Sequence, residues 1–180
     1  MGMAAGQTHA PSAMGRAMKS ESLLRAPWGS WGLGPVFDLA VDGDRVRRWK
    51  SGTILVSEGS VDQLWGRWWG YQANVWQVWW LQRWPKLPKD TCRIDYTFPG
   101  NGNEFLTLRF VQTGRHTTLK TVHAALRTLE KVAKLRDAYA IVCCLSNQRL
   151  HEKIMARWGY ERHARKLPGL HFIKRFRDYI

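Results

Sequence analysis

Two alternating runs, CRIDYTF (92–98) and EFLTLRFV (104–111), flank the turn-rich PGNGN and are followed by an amphipathic stretch and the apolar run AIVCCL. Alternation with a period of two turns one face of each run toward a core, and a short link rich in Gly and Asn closes an antiparallel hairpin. Leu119, Val122, Leu126, Leu129 and Ala133 then recur at three- and four-residue intervals, which predicts a helix over 118–136. AIVCCL, apolar throughout and bounded by polar residues, reads as a buried strand. A strand leading through a helix into a neighbouring strand suits a right-handed βαβ crossover, so the class is α/β.

Upstream, WGSWGLGP (28–35) marks the entry to the folded part, and VFDLAV (36–41) alternates as a strand before the turn signal DGD. VRRWK (46–50) reads as a short partner strand and TILVSE (53–58) as another. At Ser60 the pattern S-V-D-Q matches a capping box, which predicts a helix start. The segment that follows, 64–84, carries seven of the chain's eleven tryptophans. Trp65, Trp68 and Trp69 recur eleven residues later as Trp76, Trp79 and Trp80, and eleven helical residues overshoot three turns by only about 20°. All six rings would share one helix face, whereas in a strand the odd offset would split them. Gly66 and Gly70 favour a break into two helices, and Pro85 and Pro88 end the segment. Core packing is expected for most of these rings, with one or two left to line a pocket.

Downstream, a second helix is predicted over 147–158, stopped by Gly159, and YERHAR and HFIKRFR bracket KLPGL as a closing hairpin.

The order strand, helices, hairpin, helix, strand, helix, hairpin, with SNQRLHEKIMARWGYERH directly after the buried strand, resembles the GNAT superfamily of acyl-CoA-dependent N-acyltransferases. There a helix opening near an Asn ends at Gly plus an aromatic residue, as Gly159 and Tyr160 stand here. The resemblance implies a mixed central sheet with helices on both faces, including a Trp-rich helical segment after the first strand that walls the acceptor site. It also implies acetyl-CoA or another acyl-CoA held between two splayed parallel strands, its pyrophosphate on amides at the start of the first helix. Helix N-termini offer free N–H donors and positive potential to phosphate. Here that loop is QTGRHTT (112–118), with Gly114, Arg115, His116, Thr117 and Thr118 as cofactor-binding residues and Asn147 as a further one. Strand amides near Phe110 and Val111 would polarise the thioester carbonyl. Glu104 is the candidate general base, and Met155 stands where the family often has a tyrosine acid. The loop carries one glycine, so the match is that of a divergent member with a degenerate phosphate-loop motif.

The net charge of +14 suits a polyphosphate cofactor and equally nucleic acid or another acidic partner. Two functions follow: transfer of an acyl group to a small-molecule or peptide amine, or a non-catalytic fold of the same type that binds polyanions. The second draws on Arg157, Arg162, Arg165, Lys166, Lys174, Arg175 and Arg177 near the C-terminus. Three cysteines without metal-type or CxxC spacing fit a reducing, cytoplasmic setting. The histidines lack the spacing of a metal site, so none is assigned. No apolar run is long enough for a membrane span. Residues 1–30, small and sparsely charged, read as a flexible tail, with an organelle transit segment as the alternative, ahead of one domain over 31–180.

Overall fold

A computed structural model describes residues 33–68, 87–100, 105–145 and 152–176, all within the compact unit Trp31–Ile180. Along the chain these form β1 (Leu33–Val36), α1 (Gly43–Arg47), β2 (Ser51–Ser57), β3 (Ser60–Arg67), β4 (Thr91–Thr97) and β5 (Phe105–Thr113). Then come α2 (Leu119–Leu135), β6 (Ala140–Leu145), α3 (Glu152–Arg157), β7 (Glu161–Arg162) and β8 (Leu170–Arg175). The strands make one mixed sheet of eight in the order β1-β3-β2-β4-β5-β6-β8-β7. Only β5 and β6 run parallel; every other neighbouring pair is antiparallel.

The α/β class, the β4–β5 hairpin, the long helix, the AIVCCL strand and the closing β7–β8 hairpin all stand as their sequence patterns predict. Thr118 caps α2: its hydroxyl accepts the Thr121 amide at 3.2 Å. At the other end Asp137 adopts a left-handed φ of 55°, and the Ala138 amide returns to the Ala133 carbonyl at 3.0 Å. Between them Val122, Leu126, Leu129 and Ala133 are buried against Ile54, Ile94, Leu106 and Ile141 of the sheet, where each Leu is worth on the order of 2–5 kcal/mol. After α3, Gly159 takes φ 79° and stops the helix as its position predicts; the expected start at 147 lies outside the described residues.

Three expectations fail. Ser60 opens no helix: it begins β3, which pairs with β2 through a two-residue turn in which Glu58 (φ 53°) and Gly59 (φ 80°) are both left-handed. That geometry is the hairpin turn whose twist matches the flanking strands, and it overrides the local capping-box pattern. Trp65 therefore sits in a strand, and Trp68, just past its end, is 58 % exposed where core packing was expected; residues 69–84 of the expected Trp-rich helix lie outside the described residues. Gly66, expected to break a helix, has a packing role instead. A Cβ on it would lie 1.8 Å from the Trp49 ring, so its bare backbone is what admits that fully buried indole.

The second failure is VRRWK, which is not a strand. Val46 and Trp49, three apart, are both fully buried because this stretch is the end of α1 and its exit turn. Third, the VFDLAV strand ends at Val36, and residues 37–40 leave the sheet in a turn closed by the Ala40 amide on Asp38 Oδ1 at 2.8 Å.

All three described helices pack on the same face of the sheet. Val46 of α1, the α2 leucines and Met155 of α3 share one apolar cluster. The helices expected on the other face have no counterpart among the described residues.

Candidate functional site

β5 carries a bulge. Asp95 of β4 pairs with Phe110 and the next residue, Tyr96, with Leu108, so Arg109 is the extra residue. The alternation is thereby shifted: Leu106 and Leu108 face the helices, then Phe110 faces away and Val111 returns beside Ile94. Pairing of β5 with β6 ends just before the bulge, at Leu108 and Cys143, although β5 continues to Thr113 and β6 to Leu145. Where the two parallel strands part lies a small apolar cavity of about 10 Å³, lined by Leu108, Val111, Cys143, Leu145 and, from the helices, Val122, Leu126 and Met155. Carboxyl ends of parallel strands, at a point where the chain turns off to a helix, are where open α/β sheets bind ligands.

At the end of β5 the chain enters α2 through Gly114, Arg115, His116, Thr117 and Thr118. Gly114 is required by packing, because a Cβ there would lie 1.9 Å from the Pro88 carbonyl oxygen. His116 takes the left-handed φ of 57° that a glycine would be expected to supply, and both Arg115 and His116 are exposed. The two threonine hydroxyls, expected as donors to phosphate, are committed within the fold. Thr117 Oγ1 lies 2.9 Å from both the Thr91 and Gly114 carbonyls, while Thr118 Oγ1 caps α2. The Thr118 amide is taken too, donating to Asp90 Oδ1 at 2.7 Å. That hydrogen bond holds the Asp90 carboxyl below its ordinary range. The amides of His116, Leu119 and Lys120 meet no acceptor among the described residues, so the loop still presents donors beside Arg115 and Lys120.

On the far face, away from the helices, β2, β4 and β5 align Thr53, Asp95 and Phe110 in one cross-strand row. Asp95 is fully buried. Its Oδ1 accepts the Thr53 hydroxyl at 2.5 Å and both Nε and Nη2 of Arg93 at 3.3 Å. Oδ2 stands 3.1 Å from Arg93 Nη2 but receives no hydrogen bond, and the Trp65 indole N–H, opposite Thr53 on β3, is also buried without a partner. Buried polar atoms left this way cost free energy; Trp49 Nε1, Tyr96 Oη and Tyr160 Oη are left the same way inside the apolar cluster, so what singles out Asp95 is its place in the row beside the bulged strand. Among the described residues Asp95 is the carboxylate nearest in register to Phe110 and Val111. Its signal in the sequence is a charged pair, Arg93 and Asp95, on the side of CRIDYTF that alternation assigns to solvent.

Of the other expected site residues, Glu104 and Asn147 lie outside the described residues. Met155, buried, forms part of the cavity wall, where it offers bulk and no proton. Cys143 also lines the cavity, and burial pushes its thiol up to about 12, which leaves it an unreactive apolar group at neutral pH. Cys144 is exposed, with Sγ 3.7 Å from His171 Nε2. That nitrogen lies 2.8 Å from the Pro168 carbonyl, which can only accept, so Nε2 carries the proton and is no base for the thiol.

The C-terminal basic cluster is partly spent on the fold. Lys174 Nζ donates to Glu130 at 2.8 Å and to the Trp158 carbonyl at 2.7 Å, Arg175 pairs with Glu161 at 2.6 Å, and Arg162 faces Glu152 at 3.7 Å. Arg157, Arg165 and Lys166 are exposed. Among the described residues no helix is long and apolar enough to cross a membrane. Neither a protein-family model, nor a curated protein, nor a solved structure matches the chain.

Proposed function

We propose that the chain is an acyl-CoA-dependent N-acyltransferase of the GNAT type. The observation that carries this reading is the single parallel strand pair, β5–β6, parting at the Arg109 bulge with an apolar cavity in the cleft and the free amides of the α2 entry loop beyond it. An acyl-CoA fits that sequence of environments: diphosphate at the loop, thiol arm along the apolar cleft, thioester carbonyl at the Phe110 and Val111 amides. The cavity holds about 10 Å³, so the arm must spread β5 and β6 further on entry. Asp95, fully buried on the polar face, is the group that accepts the proton of the amine in place of Glu104, so the amine must displace what covers that face to reach it. Attack of the neutral nitrogen on the thioester carbonyl forms the amide and expels the CoA thiolate, which takes up a proton from solvent in place of the tyrosine that Met155 replaces.

The test is thiol release from acetyl-CoA with a panel of primary amines, using wild type and Asp95→Asn, with acetyl-CoA affinity and melting temperature measured alongside. The reading predicts amine-dependent release that falls at least roughly 100-fold in the variant while cofactor affinity holds, in line with the loss of a general base. Absence of acetyl-CoA binding to wild type would overturn the reading.

A second reading, polyanion binding without catalysis, draws support from α2 rather than the C-terminus. Lys120, Arg127, Lys131 and Lys134 are exposed and fall within about 60° of one another around the helix. It predicts duplex binding that weakens steeply with salt, with no acetyl-CoA dependence.

A further inference from the structure

A groove of about 600 Å³ opens between the C-terminal half of α2 and residues 37–40, the link that carries the chain from β1 toward α1. Its walls are Phe37, Leu39, Leu64 and Leu135, and its open side exposes more than half of Phe37 and over a third of Val61. Lys131 and Lys134, three residues apart and both exposed, stand on one rim, with Lys134 Nζ also 5.6 Å from the centre of the Phe176 ring. Asp38 is the one carboxylate among the lining residues, and its Oδ1 is turned back onto the Ala40 amide of its own link. Thr128, also lining the groove, donates its hydroxyl to the Ala124 carbonyl at 2.9 Å, so the neutral polar group there is satisfied internally.

We propose that this groove binds an amphiphilic anion, an apolar chain or ring bearing one carboxylate, of the medium-chain fatty acid class. The volume lies within the range of small-molecule sites, roughly 300–1,000 Å³. Apolar walls with cations on a single rim specify a ligand that is apolar along its body and negative at one end. A neutral hydrocarbon leaves Lys131 and Lys134 without a counter-charge, and a cationic amphiphile meets them as repulsion. The groove lies against Thr128, Lys131, Lys134 and Leu135, the far end of α2 from the entry loop, so the proposal stands apart from the acyl-CoA reading.

Calorimetric titration of the full chain with sodium dodecanoate below its micellar range, against dodecyltrimethylammonium as the cationic control, decides the matter. One saturable site for the carboxylate is expected, weakened at least roughly tenfold in Lys131→Gln/Lys134→Gln, the equivalent of about 1.4 kcal/mol. Val61→Trp, at a partly exposed position, is expected to fill the groove and abolish binding with the melting temperature unchanged. Absence of saturation, equal binding of the cation, or undiminished affinity in both variants overturns the proposal. So does displacement of dodecanoate by an acidic peptide or a duplex with the same dependence on the two lysines, which would make the surface a macromolecular interface.

Discussion

The sheet has two buried faces of opposite character. Under α2 it presents Ile54, Ile94, Leu106 and Ile141, none of them exposed; on the far side, around the buried Leu55, Thr53, Gln63, Asp95 and Thr97 are buried almost as completely, at 5 % exposure or less. The first face needs no explanation beyond stability, since apolar burial contributes roughly 25 cal/mol per Å². Burial of hydroxyls, an amide and a carboxylate contributes little net stability even when hydrogen-bonded, and it costs free energy where an oxygen such as Asp95 Oδ2 receives no hydrogen bond. Stability alone would not select such a surface, which is why the polar face, where it meets the bulged strand, is the place to look for chemistry.

That contrast can be broken by mutation. Asp95→Ala should cost about 3–5 kcal/mol in urea unfolding, because it leaves Arg93, 14 % exposed, without its counter-ion. Replacing the group together, as Thr53→Val/Arg93→Met/Asp95→Leu, should restore wild-type stability or exceed it while abolishing amine acylation; a triple variant that stays as unstable as Asp95→Ala would make the polar face a stability device after all. On the apolar face Leu129→Ala should lose about 2–5 kcal/mol, and no second substitution nearby should recover it. Gly66→Ala, which pushes a methyl into the Trp49 ring, should lose about 1–3 kcal/mol; an unchanged midpoint would mean that the indole is not held there.

Smaller effects separate the thiols and the entry loop. Burial raises Cys92 and Cys143 from 9.0 to about 12. A raised acid of this kind gives stability that is whole below pH 9 and is lost as pH climbs toward 12, so an alkaline unfolding transition is expected in that window. At pH 8 iodoacetamide should label Cys144 in the folded chain and spare the other two, as intact-mass measurement would show. Asp90, held below its ordinary 3.8 by the Thr118 amide, gives stability present above pH 4 and lost as acid protonates it. It is partly exposed to solvent, so Asp90→Asn should shift the acid midpoint only slightly.

What the sequence conveyed follows the reach of each interaction. The α2 helix was legible because its apolar pattern is long and lies on one face, and the AIVCCL strand because it is short, apolar throughout and bounded by polar residues. β3 was misread because two short-range signals, S-V-D-Q and the tryptophan spacing, pointed to a helix, while the deciding facts were long-range: pairing with β2 and the need of Trp49, seventeen residues upstream, for the bare backbone of Gly66. The link from β5 to α2 falls at 114–118, within the stretch 112–118 expected as the entry loop, yet the Thr117 hydroxyl and the Thr118 amide are engaged by the Thr91 carbonyl and the Asp90 carboxylate at the start of β4, partners distant in sequence. Asp95 went unnoticed because alternation assigns a charged residue to solvent, and only the register with Thr53 and Phe110 shows it buried in a row across the sheet.

Hydrogen exchange of the full chain, with and without saturating acetyl-CoA, reads out whether acyl-CoA seats at the link between β5 and α2. Saturable binding is expected, with protection concentrated at the bulge and entry loop, over 110–120, where the amides of His116, Leu119 and Lys120 gain acceptors. No binding, or protection confined to segments away from β5 and the start of α2, would contradict it.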